Sequence, residues 1–108
     1  MSQGFSLFKY SGYNIAVMSA KRVEVVYKGS VQGVGFRFTV VRFANAYGVK
    51  GYVRNLPDGN VELVAEAEEK TLKDFLQAII EDMGNVISKY SDNWFPPTGE
   101  FGRFEVRF

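Results

Sequence analysis

Gly29-Ser30-Val31-Gln32-Gly33-Val34-Gly35-Phe36-Arg37 sets three glycines ahead of an amphipathic run that carries an arginine near its start. Glycines just before a helix let backbone N–H groups point into one concavity, and the helix dipole adds partial positive charge there. Arg37 adds a planar fork of donors. A phosphate or another compact oxyanion fits such a nest. The same residues also make a plain tight turn, so the pattern by itself leaves open whether an anion is held and whether chemistry is done on it. A nucleotide P-loop is excluded: Val34 stands where its second glycine is required, and no Lys-Ser/Thr follows. The dinucleotide fingerprint fits poorly, because it needs a parallel βαβ unit with an acid beyond it.

The chain has 108 residues, no histidine and no cysteine. That removes a thiolate nucleophile, a Cys/His zinc site, a Ser-His-Asp triad and any imidazole base. What remains is carboxylates, lysine, arginine, amides, backbone dipoles and the substrate itself. The length suits one domain with its own core. The apolar share of 46% and charged share of 23% are those of an ordinary globular protein. Net charge is only +1, but it is unevenly spread. Lys21, Arg22, Lys28, Arg37, Arg42, Lys50 and Arg54 face a single acid, Glu24, before Asn55, and acids dominate after it. A local basic region would steer a small anion, whereas a nucleic-acid binder is more often basic overall. Solvated surface charge is the competing reading for every basic residue except Arg37.

The elements that must position the loop follow from periodicity. Val23, Val25 and Tyr27 alternate with Glu24, Val26 and Lys28, which predicts a strand. Phe36, Val40, Phe43, Ala44 and Tyr47 fall at helical spacing, and Gly48 is a C′ stop. Residues 49–54 predict a second strand, Asn55-Leu56-Pro57-Asp58-Gly59-Asn60 a turn, and Val61, Leu63, Ala65 and Ala67 a third strand that closes a hairpin. Residues 68–83 carry the clearest helix, with Leu72, Phe75, Leu76, Ile79, Ile80 and Met83 in one stripe and Gly84 as its expected stop. Residues 86–90 predict a fourth strand, Pro96-Pro97-Thr98-Gly99 a turn, and residues 104–108 a closing strand. The order is β-α-β-β-α-β plus one strand. This is an α+β, ferredoxin-like sandwich: an antiparallel sheet with two helices on one face.

That topology acts on the motif. If the first strand rises, the loop and Arg37 lie at its top; the helix descends and the second strand rises again, ending at Arg54 and Asn55. Arg37 and Asn55 therefore share one sheet edge. With the third strand between the first and second, their strand ends stand about 10 Å apart, twice the strand spacing. That gap suits a phosphoryl group and a water. Asn55, which before Leu-Pro-Asp-Gly could be only a turn former, then becomes a candidate site residue.

Residues 1–20 are expected to be an N-terminal extension, disordered, with Met18 as a possible alternative start; residues 21–108 form the domain. Signal-peptide features are absent and no segment reaches transmembrane length. The absence of cysteine fits the cytosol, and a cytoplasmic monomer is expected.

The stretch 29–37 resembles the Gly-x-Val-Gln-Gly-Val-x-Phe-Arg signature of the acylphosphatase family, and Gly51-Tyr52-Val53-Arg54-Asn55 resembles its second signature, Gly-aromatic-Val-basic-Asn. Two motifs at the right separation are far more specific than either alone. The resemblance runs from about Lys21 to the C-terminus. It implies hydrolysis of the carboxyl–phosphate bond of acyl phosphates without metal or organic cofactor, with inorganic phosphate as product and competing ligand. It also implies Arg37 and Asn55 as catalytic residues and a backbone phosphate loop at Ser30, Val31, Gln32, Gly33, Val34, Gly35 and Phe36. Asn55 would orient the water, and the substrate's own phosphate would take the proton. The chain departs from the family at Gly84-Asn85-Val86, where Gly-Pro-Pro is common, and in the arrangement of residues 91–101. Three alternatives remain beside the enzyme. One is a non-catalytic anion-binding module, akin to the acylphosphatase-like domain of larger hydrogenase-maturation carbamoyltransferases. Another is a ferredoxin-like RNA binder using Tyr27 and Tyr52, disfavoured by Glu62 and Glu66. The last is a purely structural domain, which leaves both motifs unexplained. The loop is not expected to read the acyl group.

Overall fold

The computed structural model describes residues 20–108. The expectations for the N-terminal extension and for Met18 lie outside the described residues. Strand β1 (Ala20–Gly29) is followed by helix α1 (Phe36–Tyr47), β2 (Lys50–Asn55), β3 (Val61–Glu68), α2 (Glu69–Met83), a 3₁₀ turn (Gly84–Val86), β4 (Ile87–Phe95) and β5 (Phe104–Arg107). The sheet order is β4-β1-β3-β2-β5. The third strand does lie between the first and second, as the split arrangement requires.

Alternation decides the two faces. Val23, Val25 and Tyr27 of β1, Val61, Leu63 and Ala65 of β3, and Val53 of β2 are buried beneath the helices. They meet Phe36, Val40 and Ala44 of α1 and Leu72, Phe75 and Ile79 of α2 in one core. Fully burying a side chain of this size contributes about 1.5–3 kcal/mol, so each helix is held by its stripe more than by its ends. The end of α1 is nonetheless well made: Gly48 takes a left-handed conformation and its N–H meets the carbonyls of Ala44 and Asn45.

Helix α2 ends at Met83 with Gly84 as its C-cap, where the stop was expected; Gly84 stays right-handed and leads into the 3₁₀ turn. Two local expectations change. Strand β4 extends to Phe95, because β1 offers partners from Arg22 to Gly29 along its whole free edge. The sheet is mixed rather than wholly antiparallel: β5 runs parallel to β2, pairing Gly51 with Phe104 and Val53 with Val106. The cause is the route between the last two strands. β4 descends at one edge, residues 96–103 cross the face away from the helices, and β5 rises at the other edge.

Glu66 holds that crossing in place. Its carboxylate accepts from the Thr98 N–H (3.0 Å), the Thr98 hydroxyl (2.8 Å), the Gly99 N–H (3.0 Å) and the Arg22 guanidinium (3.1 Å). Burial works to raise the Glu66 carboxyl, but these four donors outweigh it and hold the group below its ordinary range. Phe101 then lies edge-on to Tyr52, with Arg107 4.1 Å above the Tyr52 ring. No helix among the described residues is long and apolar enough to cross a membrane.

Candidate active site

The loop between β1 and α1 is pinned at both ends by apolar side chains. Val31 and Phe36 are each only 1% exposed, and the Phe36 ring stands edge-on to Tyr27 at 5.1 Å. Between these anchors Gly33, Val34 and Gly35 are exposed. Gly33 and Gly35 have φ of 79° and 77°, a region in which a side chain is strained. Gly35 is the N-cap of α1, so it offers no capping side chain, and the first turn contains no acid. The positive end of α1 is thus left without a side chain of its own to neutralise it.

Arg37 sits in that first turn, half-buried. Its guanidinium carbon lies 5.2 Å from the centre of the Phe108 ring, within cation–π range. Val31, Gly33, Gly35, Phe36, Arg37 and Phe38 line a cavity of about 250 Å³. Ser30, Gln32 and Asn55 are not among its lining residues. Of the predicted loop, then, Val31, Gly33, Gly35 and Phe36 shape the cavity directly.

Gln32 does something the sequence reading did not assign to it. Its side-chain amide donates to the carbonyls of Leu56 and Asn60, both at 2.8 Å. These residues flank the turn after β2. That turn is closed by Leu56 N–H to the Asn60 carbonyl (2.8 Å) and by Asp58, whose carboxylate accepts from the Asn60 N–H (3.1 Å). One amide therefore fixes the loop against the strand end that carries Asn55. The available signal was an amide placed among glycines and valines, where a backbone-only role needs no polar side chain.

Asn55 pairs with Val61, which pairs in turn with Tyr27, so the ends of β2, β3 and β1 lie in one row. Having the parity of Val53, Asn55 faces the helix side, as the loop anchors do. Its Oδ1 is buried and makes no hydrogen bond to any described residue. Buried acceptors are nearly always satisfied, so this oxygen is suited to a donor that the chain itself does not provide. Arg37 and Asn55 are brought to the same end of the sheet, on the same side.

The other basic residues face elsewhere. Arg54 bonds Glu62 at 2.6 Å on the outer face, Lys50 has the same parity as Arg54, and Arg42 lies 3.9 Å from Asp82. Tyr27 is core, its hydroxyl pushed up by burial and then by Tyr90 and Asp92. Tyr52 is covered by Phe101 and Arg107. Neither ring offers the open stacking face that RNA binding requires.

Residues 23–106 match the family model described as Acylphosphatase. The chain is 53% identical over 57 residues to an acylphosphatase of Archaeoglobus fulgidus, a stretch that covers 53% of this chain and 64% of that protein. It is 42% identical over 82 residues to an acylphosphatase of Bacillus licheniformis, covering 76% of this chain and 89% of the other. Among solved structures, the acylphosphatase of Bacillus subtilis superposes with a TM-score of 0.74 at 29% identity, covering 82% of this chain and 99% of that one. HypF of T. kodakarensis superposes with a TM-score of 0.71 at 30% identity, over 82% of this chain but only 12% of that one.

Proposed function

The chain belongs to the acylphosphatase family, and on that ground we propose that it hydrolyses acyl phosphates to a carboxylate and inorganic phosphate. The phosphoryl group sits in the loop's N–H concavity at the start of α1, and the Arg37 fork binds two of its oxygens. The Asn55 side chain orients a water behind phosphorus. The water oxygen attacks in line, the bond between phosphorus and the acyl oxygen breaks, and the carboxylate leaves with that electron pair. The water's proton passes to a phosphoryl oxygen of the substrate. A carboxylate is a good leaving group, so positioning and electrostatics carry the reaction without a histidine. Neither metal nor organic cofactor takes part.

The observation that carries this reading is the buried Asn55 Oδ1, without a partner among the described residues, at the sheet end shared with Arg37. A water donating to it would stand in the space between the β1 and β2 ends. Benzoyl phosphate with and without a chelator tests the proposal: turnover is expected, unchanged by chelation. Inorganic phosphate should compete with substrate, and the enzyme should elute as a monomer. A cytoplasmic location is part of the same proposal, which cell fractionation checks.

The likeness to a small part of HypF favours one second reading, an anion-binding domain without turnover. Phosphate binding with no release of benzoate would establish it.

A further inference from the structure

The six exposed large apolar residues among those described are Val34, Phe38, Tyr47, Tyr90, Phe95 and Phe108. Three of them gather at the candidate site. Val34 is 48% exposed in the loop, Phe38 is 73% exposed beside Arg37, and the Phe108 ring lies against the Arg37 guanidinium. Phe38 also lines the same cavity as Arg37, Gly33 and Gly35. A side chain as large as Phe38 in water forgoes the stabilisation that burial gives its neighbours Phe36 and Val40. Scattered exposed apolar residues need no explanation, but a group bordering an oxyanion nest does.

We propose that Val34 and Phe38 form the acyl-binding rim of this site and select acyl phosphates whose acyl group carries an apolar body. The inference rests on the acyl phosphate reading above and names its substrate class. The geometry separates two tasks within one loop. Backbone N–H groups and Arg37 take the phosphoryl end, which every acyl phosphate shares. Phe38 lines the cavity, and Val34 is exposed in the loop between Gly33 and Gly35, which line it too. Neither the Phe38 nor the Val34 side chain offers a hydrogen bond, so a charged or hydroxylated acyl group would lose water there without replacement. An aliphatic or aromatic one would lose only unfavourable contact with water. The loop thereby reads the acyl group by its exposed side chains, contrary to the expectation from its sequence.

Hexanoyl phosphate and acetyl phosphate test this, because their leaving carboxylates differ little in basicity. In the wild type kcat/KM should favour hexanoyl phosphate by about tenfold, the effect of one or two methylenes leaving water. Phe38→Ser should remove most of that preference and Val34→Ser part of it, mainly through KM. As an independent readout, hexylphosphonate should bind more tightly than methylphosphonate by calorimetry, and Phe38→Ser should abolish the difference. Equal kcat/KM for the two substrates in the wild type overturns the proposal. So does a Phe38→Ser variant that slows both alike, which would mean that Phe38 only shapes the start of α1. Absence of turnover with a retained, Phe38-dependent preference for hexylphosphonate would remove the hydrolysis reading and leave the apolar rim standing.

Discussion

The protein holds one carboxylate in a built cluster of donors and has, in the proposed active site, a second set of similar parts. On the outer face, the N–H groups of Thr98 and Gly99, the Thr98 hydroxyl and Arg22 surround a carboxylate that the chain supplies itself, Glu66. At the end of the sheet, a glycine loop, the start of α1 and Arg37 form a comparable set of donors, and no acid of the first turn occupies it. A filled nest closes a crossing segment onto the sheet. An open one is left to bind a ligand. The difference lies in whether the sequence delivers an anion to the donors, and it separates a structural device from the proposed catalytic one built of like chemistry.

Substitutions can break that contrast, beginning with the open site. Arg37→Ala should lower kcat/KM for benzoyl phosphate by about 10³, because it removes a charged donor aimed at the transition state. Circular dichroism should remain that of the native fold, since no ion pair of the described residues involves Arg37. Asn55→Ala should lower kcat by about 10² while inorganic phosphate still competes, separating water orientation from anion binding.

At the filled site the loss should appear in stability instead. Glu66→Gln leaves Arg22 without one of its carboxylates and should cost about 2 kcal/mol in urea unfolding, with turnover preserved. Its pH dependence gives a sharper test. The folded-state carboxyl of Glu66 is held below its ordinary value, so its contribution is fully present above the unfolded value. That contribution is lost as pH falls through the depressed folded one. The stability gap between wild type and Glu66→Gln should therefore be constant near neutrality and close as the solution becomes more acidic than an ordinary carboxyl. A gap that widened in acid would reverse the assignment. The smallest effect is expected from Gln32→Ala, about a tenfold fall in kcat/KM, because the loop keeps its anchors Val31 and Phe36 but loses its tie to the β2 end.

The open site was legible because its parts are local. Three glycines, an arginine and a turn beginning at Asn55 lie within short stretches, and helix and strand periods bring their ends together. The sheet order followed from the hairpin closed at Pro57–Asn60 and the crossover through α1. The filled site was not legible. Glu66 reads as an ordinary outward acid on an alternating strand, and its partners Thr98 and Gly99 lie more than thirty residues on, at separations of 32 and 33. For the same reason the parallel placement of β5 could not be read: a crossing segment without periodicity gives no sign of which edge it will reach. Gln32 lay between these cases, conspicuous by its type but with acceptors supplied by another element.

The reach of Gln32 also bears on when a working cradle exists. Its two acceptors lie 24 and 28 residues downstream. On a chain emerging from the ribosome, residues 29–37 appear well before Leu56 and Asn60, and the β1 row cannot close until β3 has followed. The loop conformation held by Gln32 is thus a late product of non-local closure rather than a property of the motif peptide. On the proposed reading, phosphate added to refolding protein would bind only molecules that have completed the hairpin, and by mass action it would draw the population toward them. The ligand that the enzyme releases as product would in this way act as a selective trap for finished chains.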